Sequence, residues 1–137
     1  MIKEDYVSFE VAKLLKEKGF PQIEQNSGYN VTEMVYSINA DKKGVHHLTH
    51  RYPAVYDINN YICAPTLQMA MKWLREVRNI FIQVDYIWSP KALYTYTFDI
   101  HNMKNSRSIF STPYGESFDS YEEACEAAIK YCLTNLI

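Results

Sequence analysis

The sequence predicts an α+β fold, a two-layer domain in which antiparallel sheet or hairpins pack against about three helices. Three observations point there. Apolar residues recur at helical spacing in three separated stretches, over 8–19, 65–77 and 120–136. From Ile80 to Ile100 the pattern switches to alternation, interrupted only at Ser89–Ala92, as in two strands joined by a reversal. Clusters of Asn, Ser, Gly and Pro punctuate the periodic stretches. A chain of 137 residues, 47% apolar and 22% charged, is large enough to bury one core, so 1–137 is read as a single compact domain.

The first helix is expected from Ser8 to Gly19. Val7, Val11, Leu14 and Leu15 make its apolar stripe, while Lys13, Lys16, Glu17 and Lys18 stay wet. Ser8 suits the N-cap, and Gly19 suits a left-handed stop before Phe20 and Pro21 turn the chain. After loop signals at 25–30, Thr32, Met34, Tyr36 and Ile38 alternate as one face of a strand. Asn39–Gly44 is expected to reverse it into a second strand starting near Val45. Tyr52–Cys63 is less regular and is read as a lead into the next helix, with a turn at Asn59 and Asn60.

Pro65 suits the first turn of that helix, where its missing N–H does no harm; the cap can fall on either side of it, and Thr66 is one candidate. Leu67, Ala70, Met71, Leu74 and Val77 define its inner face, and Met69 and Trp73 widen it. Gln68, Lys72, Arg75 and Glu76 are left for solvent. Such a Met and aromatic stripe is ordinarily core. In the following hairpin Ile80, Ile82, Val84, Tyr86 and Trp88 share a face, as do Tyr94, Tyr96, Phe98 and Ile100. This aromatic face is expected to cover the helix, with Thr95 and Thr97 on the wetter side. A polar connection over His101–Ser108 should lead to a third short strand, Ile109–Thr112, and a turn at Pro113–Gly115. Ser120 with Glu123 is a capping box that starts the last helix. Tyr121, Ala124, Cys125, Ala128, Cys132 and Leu136 face inward, and Glu126 and Lys130 are spaced to support each other outside.

A net charge of -2 gives no whole-chain electrostatic case for nucleic acid or an anionic membrane. No N-terminal apolar segment resembles a secretion signal and no stretch is long enough to span a bilayer, so a cytoplasmic protein without membrane association is expected. Cys63, Cys125 and Cys132 form an odd set without a CysXXCys pair. On one helix, Cys125 and Cys132 would lie roughly 10 Å apart along the axis, too far for a disulfide, so all three are read as reduced thiols, mostly buried.

Candidate functional residues are few. His46, His47 and His50 lie close in sequence, but on a strand His46 and His50 are roughly 13 Å apart and His47 points the other way, so they cannot share a metal. A helical geometry would bring His46 and His50 together, yet Val45, Thr49 and Tyr52 give it little support. There is no HisGluXXHis motif and no GxxxxGK[ST] or GxGxxG loop. Glu122, Glu123 and Glu126 read as an acidic solvated helix face. No cofactor is indicated and no catalytic or metal site is assigned. The dispersed polar residues Lys42, Lys43, His47, His50, Arg51, Lys104 and Arg107 make up a candidate interaction surface.

Across PTLQMAMKWLREV (65–77) and YEEACEAAIKYCL (121–133) the chain resembles small uncharacterised proteins encoded in Bacteroides and related gut bacteria, including phage-like or mobile genomic regions. The resemblance extends over most of the chain and implies a biological setting, but no reaction and no transferable site residues. The leading functional expectation is a noncatalytic interaction or structural accessory protein, self-associating through its aromatic sheet or its Ala-containing last helix, or binding an unidentified protein partner. The second is nucleic-acid binding, since the helix, three strands, helix order of the second half is loosely similar to double-stranded RNA-binding domains. Against it, the last helix is acidic where that family is rich in lysine. The third is a small enzyme, which would need His47 or His50 to approach Asp57, Asp85, Asp99 or Cys63.

Overall fold

The computed structural model describes residues 2–22, 30–38, 44–51, 60–89, 93–113 and 116–137. It has the expected α+β class, with helices packed on antiparallel sheet. By internal contacts the chain divides into two compact units, Met1–Thr66 and Leu67–Ile137.

In the first unit, α1 spans Phe9–Glu17. Ser8 caps it as expected, its hydroxyl accepting from the Val11 N–H at 3.2 Å. The other end is a Schellman stop. The Phe20 N–H donates to the Leu15 carbonyl at 2.9 Å and the Gly19 N–H to the Lys16 carbonyl at 3.2 Å. Gly19 sits at φ 97°, where a Cβ would be strained, and Phe20 is buried as is Leu15. Val7, Val11, Ala12 and Leu15 are buried, whereas Leu14 is only half-buried.

Strands β1 (Asn30–Ser37) and β2 (His46–Arg51) pair antiparallel, as the sequence predicts. A third strand, β3 (Tyr61–Cys63), pairs with the other side of β1, giving the order β2-β1-β3. Sequence reading missed β3 because three residues are too few to display alternation. Its outer edge is occupied by a side chain from far along the chain: the Gln22 carboxamide oxygen accepts from the Cys63 N–H at 2.9 Å, while its NH2 donates to the Phe20 carbonyl at 3.0 Å. Tyr36 donates from its hydroxyl to the Val7 carbonyl and meets Phe9 edge-on at 5.5 Å, which ties the start of α1 to β1.

The second unit runs α2 (Leu67–Arg78), β4 (Ile80–Ser89), β5 (Leu93–Asn102), β6 (Arg107–Ser111), α3 (Tyr121–Asn135). Its sheet has the order β4-β5-β6, and both helices pack on it and on each other. Pro65 falls before the helix rather than in its first turn; its carbonyl accepts from the Val7 N–H at 3.0 Å. Leu67, Ala70, Met71, Trp73 and Leu74 are buried, but Met69 and Val77 are 52% and 56% exposed. The inner face of α2 is therefore narrower than the apolar pattern. Asn79, at φ 57°, ends the helix in the left-handed region that Asn tolerates, and its carbonyl accepts from the Met103 N–H at 2.8 Å.

β4 and β5 pair over their full length, with Ile82 opposite Ile100, Val84 opposite Phe98 and Tyr86 opposite Tyr96. The polar connection is shorter than expected, because β5 continues to Asn102 and β6 already begins at Arg107. Two Asx contacts shape the turn: Asn102 Oδ1 accepts from the Lys104 N–H at 2.9 Å, and Asn105 Oδ1 from the Arg107 N–H at 3.0 Å. A bulge follows, as Ile100 pairs with Phe110 but His101 with Ser108, leaving Ile109 as the extra, exposed residue. Beyond β6, Phe118 exchanges both backbone bonds with Tyr96, at 3.0 and 2.8 Å, so the edge of β5 stays occupied.

On α3, Ser120 Oγ accepts from the Glu123 N–H at 3.1 Å, while the Glu123 carboxylate accepts from Asp119 at 3.3 Å rather than from Ser120 itself. The capping box is thus shifted by one residue on its return bond. Glu122 and Glu123 also favour the positive end of the helix. Ser120→Ala should cost about 1 kcal/mol, measured by urea unfolding. Ala124, Cys125, Ala128 and Cys132 are buried as expected. Ile129 and Leu133 join them, whereas Tyr121 and Leu136, at the two ends of the helix, are not buried. Phe110 stacks on Tyr131 with ring centroids 4.0 Å apart, fixing β6 against α3.

The loop signals over 25–29, the turn residues 39–43, including Lys42 and Lys43, the stretch 52–59 with Asp57, the reversal residues 90–92, and Tyr114 and Gly115 lie outside the described residues.

Candidate interaction surface

The β4–β5 hairpin is longer than what covers it. Ten extended residues reach roughly 33 Å, whereas the twelve residues of α2 and fifteen of α3 rise only about 18 and 22 Å along their axes. On the face turned to the helices, Ile80, Ile82, Phe98 and Ile100 are buried. Further along the same face Tyr86 and Trp88 are 55% and 60% exposed, and Ile87, pointing the opposite way, is 42% exposed. The expectation that the aromatic face covers the helix therefore holds only for the first part of the hairpin. Tyr86 meets Tyr96 edge-on at 5.6 Å, and Tyr96 meets Tyr121 at 6.3 Å, so an aromatic row leads from α3 to the exposed end. Thr95, expected on the wetter side, is buried. Its hydroxyl donates to the Ile87 carbonyl opposite it at 3.4 Å, which lets a small polar side chain be covered without losing its hydrogen bond.

The other face of the hairpin carries Phe81, Gln83 and half-buried Asp85, with the Gln83 amide donating to the Asp85 carboxylate at 3.0 Å. Towards the β5–β6 turn this face hollows into an open cavity of ≈ 380 Å³ lined by Phe81, Gln83, His101, Asn102, Met103 and Ser106. His101 Nε2 is buried there with no hydrogen-bond partner among the described residues.

The residues picked from sequence divide between the two units. In the second, Lys104 on the β5–β6 connection and Arg107 at the start of β6 are both exposed. In the first, His47, His50 and Arg51 all belong to β2, in register with Met34, Val31 and Asn30. The strand geometry disposes of the helical arrangement of the histidines: positions 46 and 50 are four residues apart along β2, roughly 13 Å. His47, which is exposed, does not approach Cys63. β1 lies between their strands, and they pair with Met34 and Val35, adjacent residues that face opposite sides of the sheet. Among the described residues no group of three His, Cys, Asp or Glu side chains is placed to hold a metal, and no helix is long and apolar enough to cross a membrane.

The second surface proposed for self-association is already in use. Ala124 and Ala128 are completely buried within the chain, together with Cys125 and Cys132, whose thiols burial pushes up to about 11 and about 12. What sequence reasoning passed over is the run Tyr86-Ile87-Trp88. The signal for it was the mismatch between strand length and helix length, not the alternation itself.

Set against family models, curated proteins and solved structures, the chain matches none.

Proposed function

We propose that the chain is a noncatalytic interaction protein that self-associates through the outer end of its β4–β5 hairpin. The exposure of three consecutive large side chains, Tyr86, Ile87 and Trp88, supports this reading. Alternation makes the strand end apolar on both faces, and such a surface gains from being covered by another protein surface. Tyr and Trp are also the side chains that most often dominate interface energetics, because they add rigid area at small entropic cost.

Sedimentation velocity over a concentration series tests the proposal. The native chain is expected to associate, and Trp88→Ser to weaken association at least about tenfold, the effect of losing one central aromatic anchor. A native chain that remains monomeric at every concentration would refute it, as would association indifferent to Trp88.

A second reading, nucleic-acid binding, is favoured by the helix, three strands, helix order of the second unit together with exposed Lys104 on its β5–β6 connection and Arg107 at the start of β6. The acidic first turn of α3 opposes phosphate at that helix end. Titration of duplex RNA at several salt concentrations separates the two readings. Binding whose salt slope falls by roughly two when Lys104 and Arg107 are both replaced by Ala would favour the second.

A further inference from the structure

We infer that the occupant of the Tyr86–Trp88 surface is a second copy of the same chain, joined edge to edge by antiparallel pairing of the two β4 strands about a two-fold axis at Ile87. The inference rests on the interaction reading above and specifies its geometry.

Within its sheet β4 is an edge strand, with β5 as its only strand neighbour among the described residues. Edge strands ordinarily carry devices against pairing with a foreign strand, such as Pro, Lys or a bulge. Over Ile80–Ser89 the sequence holds no Pro, Gly or Lys, and its single charge is Asp85. The β4–β5 ladder itself runs without a register shift. β4 thus presents a long, regular edge whose exposed end is apolar.

A strand that pairs antiparallel with its own copy closes into a two-fold dimer and leaves no further edge of that kind, so association stops at two. The symmetry also restricts the register. In antiparallel pairs, directly opposite residues share a face, and a two-fold axis normal to the sheet keeps each side chain on its own face. The axis must therefore pass where a residue meets itself. Centring on Asp85 would set two carboxylates opposite each other, which is destabilising. Centring on Tyr86 would set each Asp85 opposite an Ile87. Centring on Ile87 places Ile87 against Ile87 and each Tyr86 against a Trp88, while Asp85 falls opposite Ser89. That register makes two aromatic cross-strand pairs and opposes no charge to an apolar side chain. Pro90, which has no N–H to give a ladder, follows immediately and bounds the paired segment at Asp85–Ser89.

Disulfide trapping reads the register directly. Single cysteines are placed at 85, 86, 87 and 88 in a Cys63→Ala background, with buried Cys125 and Cys132 left in place, and each chain is oxidised mildly and run under denaturing, non-reducing conditions. Self-opposed residues have Cα atoms roughly 4.5–5.5 Å apart, within disulfide reach, whereas two copies of residue 85 would be more than about 13 Å apart. Ile87→Cys is expected to trap the dimer most rapidly and Asp85→Cys hardly at all. In parallel, Ile87→Lys, which puts two ammonium groups against each other at a position that is exposed in the single chain, should return the protein from twice its 16.1 kDa mass to monomer by light scattering, with its thermal unfolding unchanged. A native chain that is monomeric would overturn both the interaction reading and this geometry. A native dimer that depends on Trp88 but is trapped best at another position, or not at all, would leave the interaction reading standing and overturn the edge pairing at Ile87.

Discussion

Ile100→Ala is expected to lower the stability of the chain by about 3 kcal/mol, within the range of roughly 2–5 found for fully buried Ile or Leu reduced to Ala. Ile100 has no exposed surface, lies on the central strand β5, and sits opposite Ile82 on one side and Phe110 on the other. A cavity there is floored by the central strand and flanked by the cross-strand neighbours Ile82 and Phe110, whose backbones are held in the ladder and limit how far the site can collapse. Val77→Ala is the matching control. Val77 belongs to the apolar spacing of α2 yet is more than half exposed, and its loss should change stability by less than about 0.5 kcal/mol. Urea titration of the two variants beside the native chain checks both values. Equal losses would mean that α2 turns its Val77 edge inward, as the bare sequence pattern implies.

Alkaline pH should destabilise the protein through two thiols. Burial raises Cys125 to about 11 and Cys132 to about 12, whereas in the unfolded chain a thiol ionises near its ordinary value of about 8.5. Above that pH the unfolded state holds fewer protons than the folded one, so stability falls as pH rises. The contribution is complete below about pH 8.5 and is lost progressively through about 11 for Cys125 and about 12 for Cys132, at up to roughly 1.4 kcal/mol per pH unit for each thiol. Tyr121, whose hydroxyl is raised chiefly by partial desolvation at the border of the buried α3 face, acts in the same direction. Urea midpoints measured from pH 8 to 10.5 should decline steadily in the native chain and less steeply in Cys132→Ala, whose lower starting stability does not affect the slope. The same burial predicts that an aromatic disulfide reagent at pH 8 reacts first with half-buried Cys63 and reaches the two α3 thiols only on unfolding. A flat pH profile, or three equally reactive thiols in the native chain, would count against the burial of these two side chains.

Local chemistry was readable wherever one or two residues decide the geometry. Ser8 and Ser120 start their helices because a hydroxyl satisfies an otherwise orphan N–H, and Gly19 stops α1 because it tolerates a positive φ. Alternation from Ile80 to Ile100 gave the β4–β5 hairpin and its two faces. What escaped depends on how much of each element another element reaches. Val77 and Met69 fit the helical stripe but lie beyond its covered width, and Ile129 and Leu133 complete a face of α3 that Tyr121 and Leu136 only border. β3 and the bulge at Ile109 are too short to leave a period. The candidate site was the least legible part. Lys104 and Arg107 were found because charge is visible residue by residue, whereas the apolar end of β4 appears only when a strand is seen to outrun its helices.

The Gln22 side chain adds a consequence for how the chain avoids its own kind. By accepting from the Cys63 N–H it fills, with an amide 41 residues away, a position that an incoming strand would need on β3. The smaller sheet therefore carries its own stopper, held in place by a second bond to Phe20, and a neighbouring molecule must displace that plug before it can add to this edge. Replacing Gln22 would uncork the sheet without touching a single residue that belongs to it.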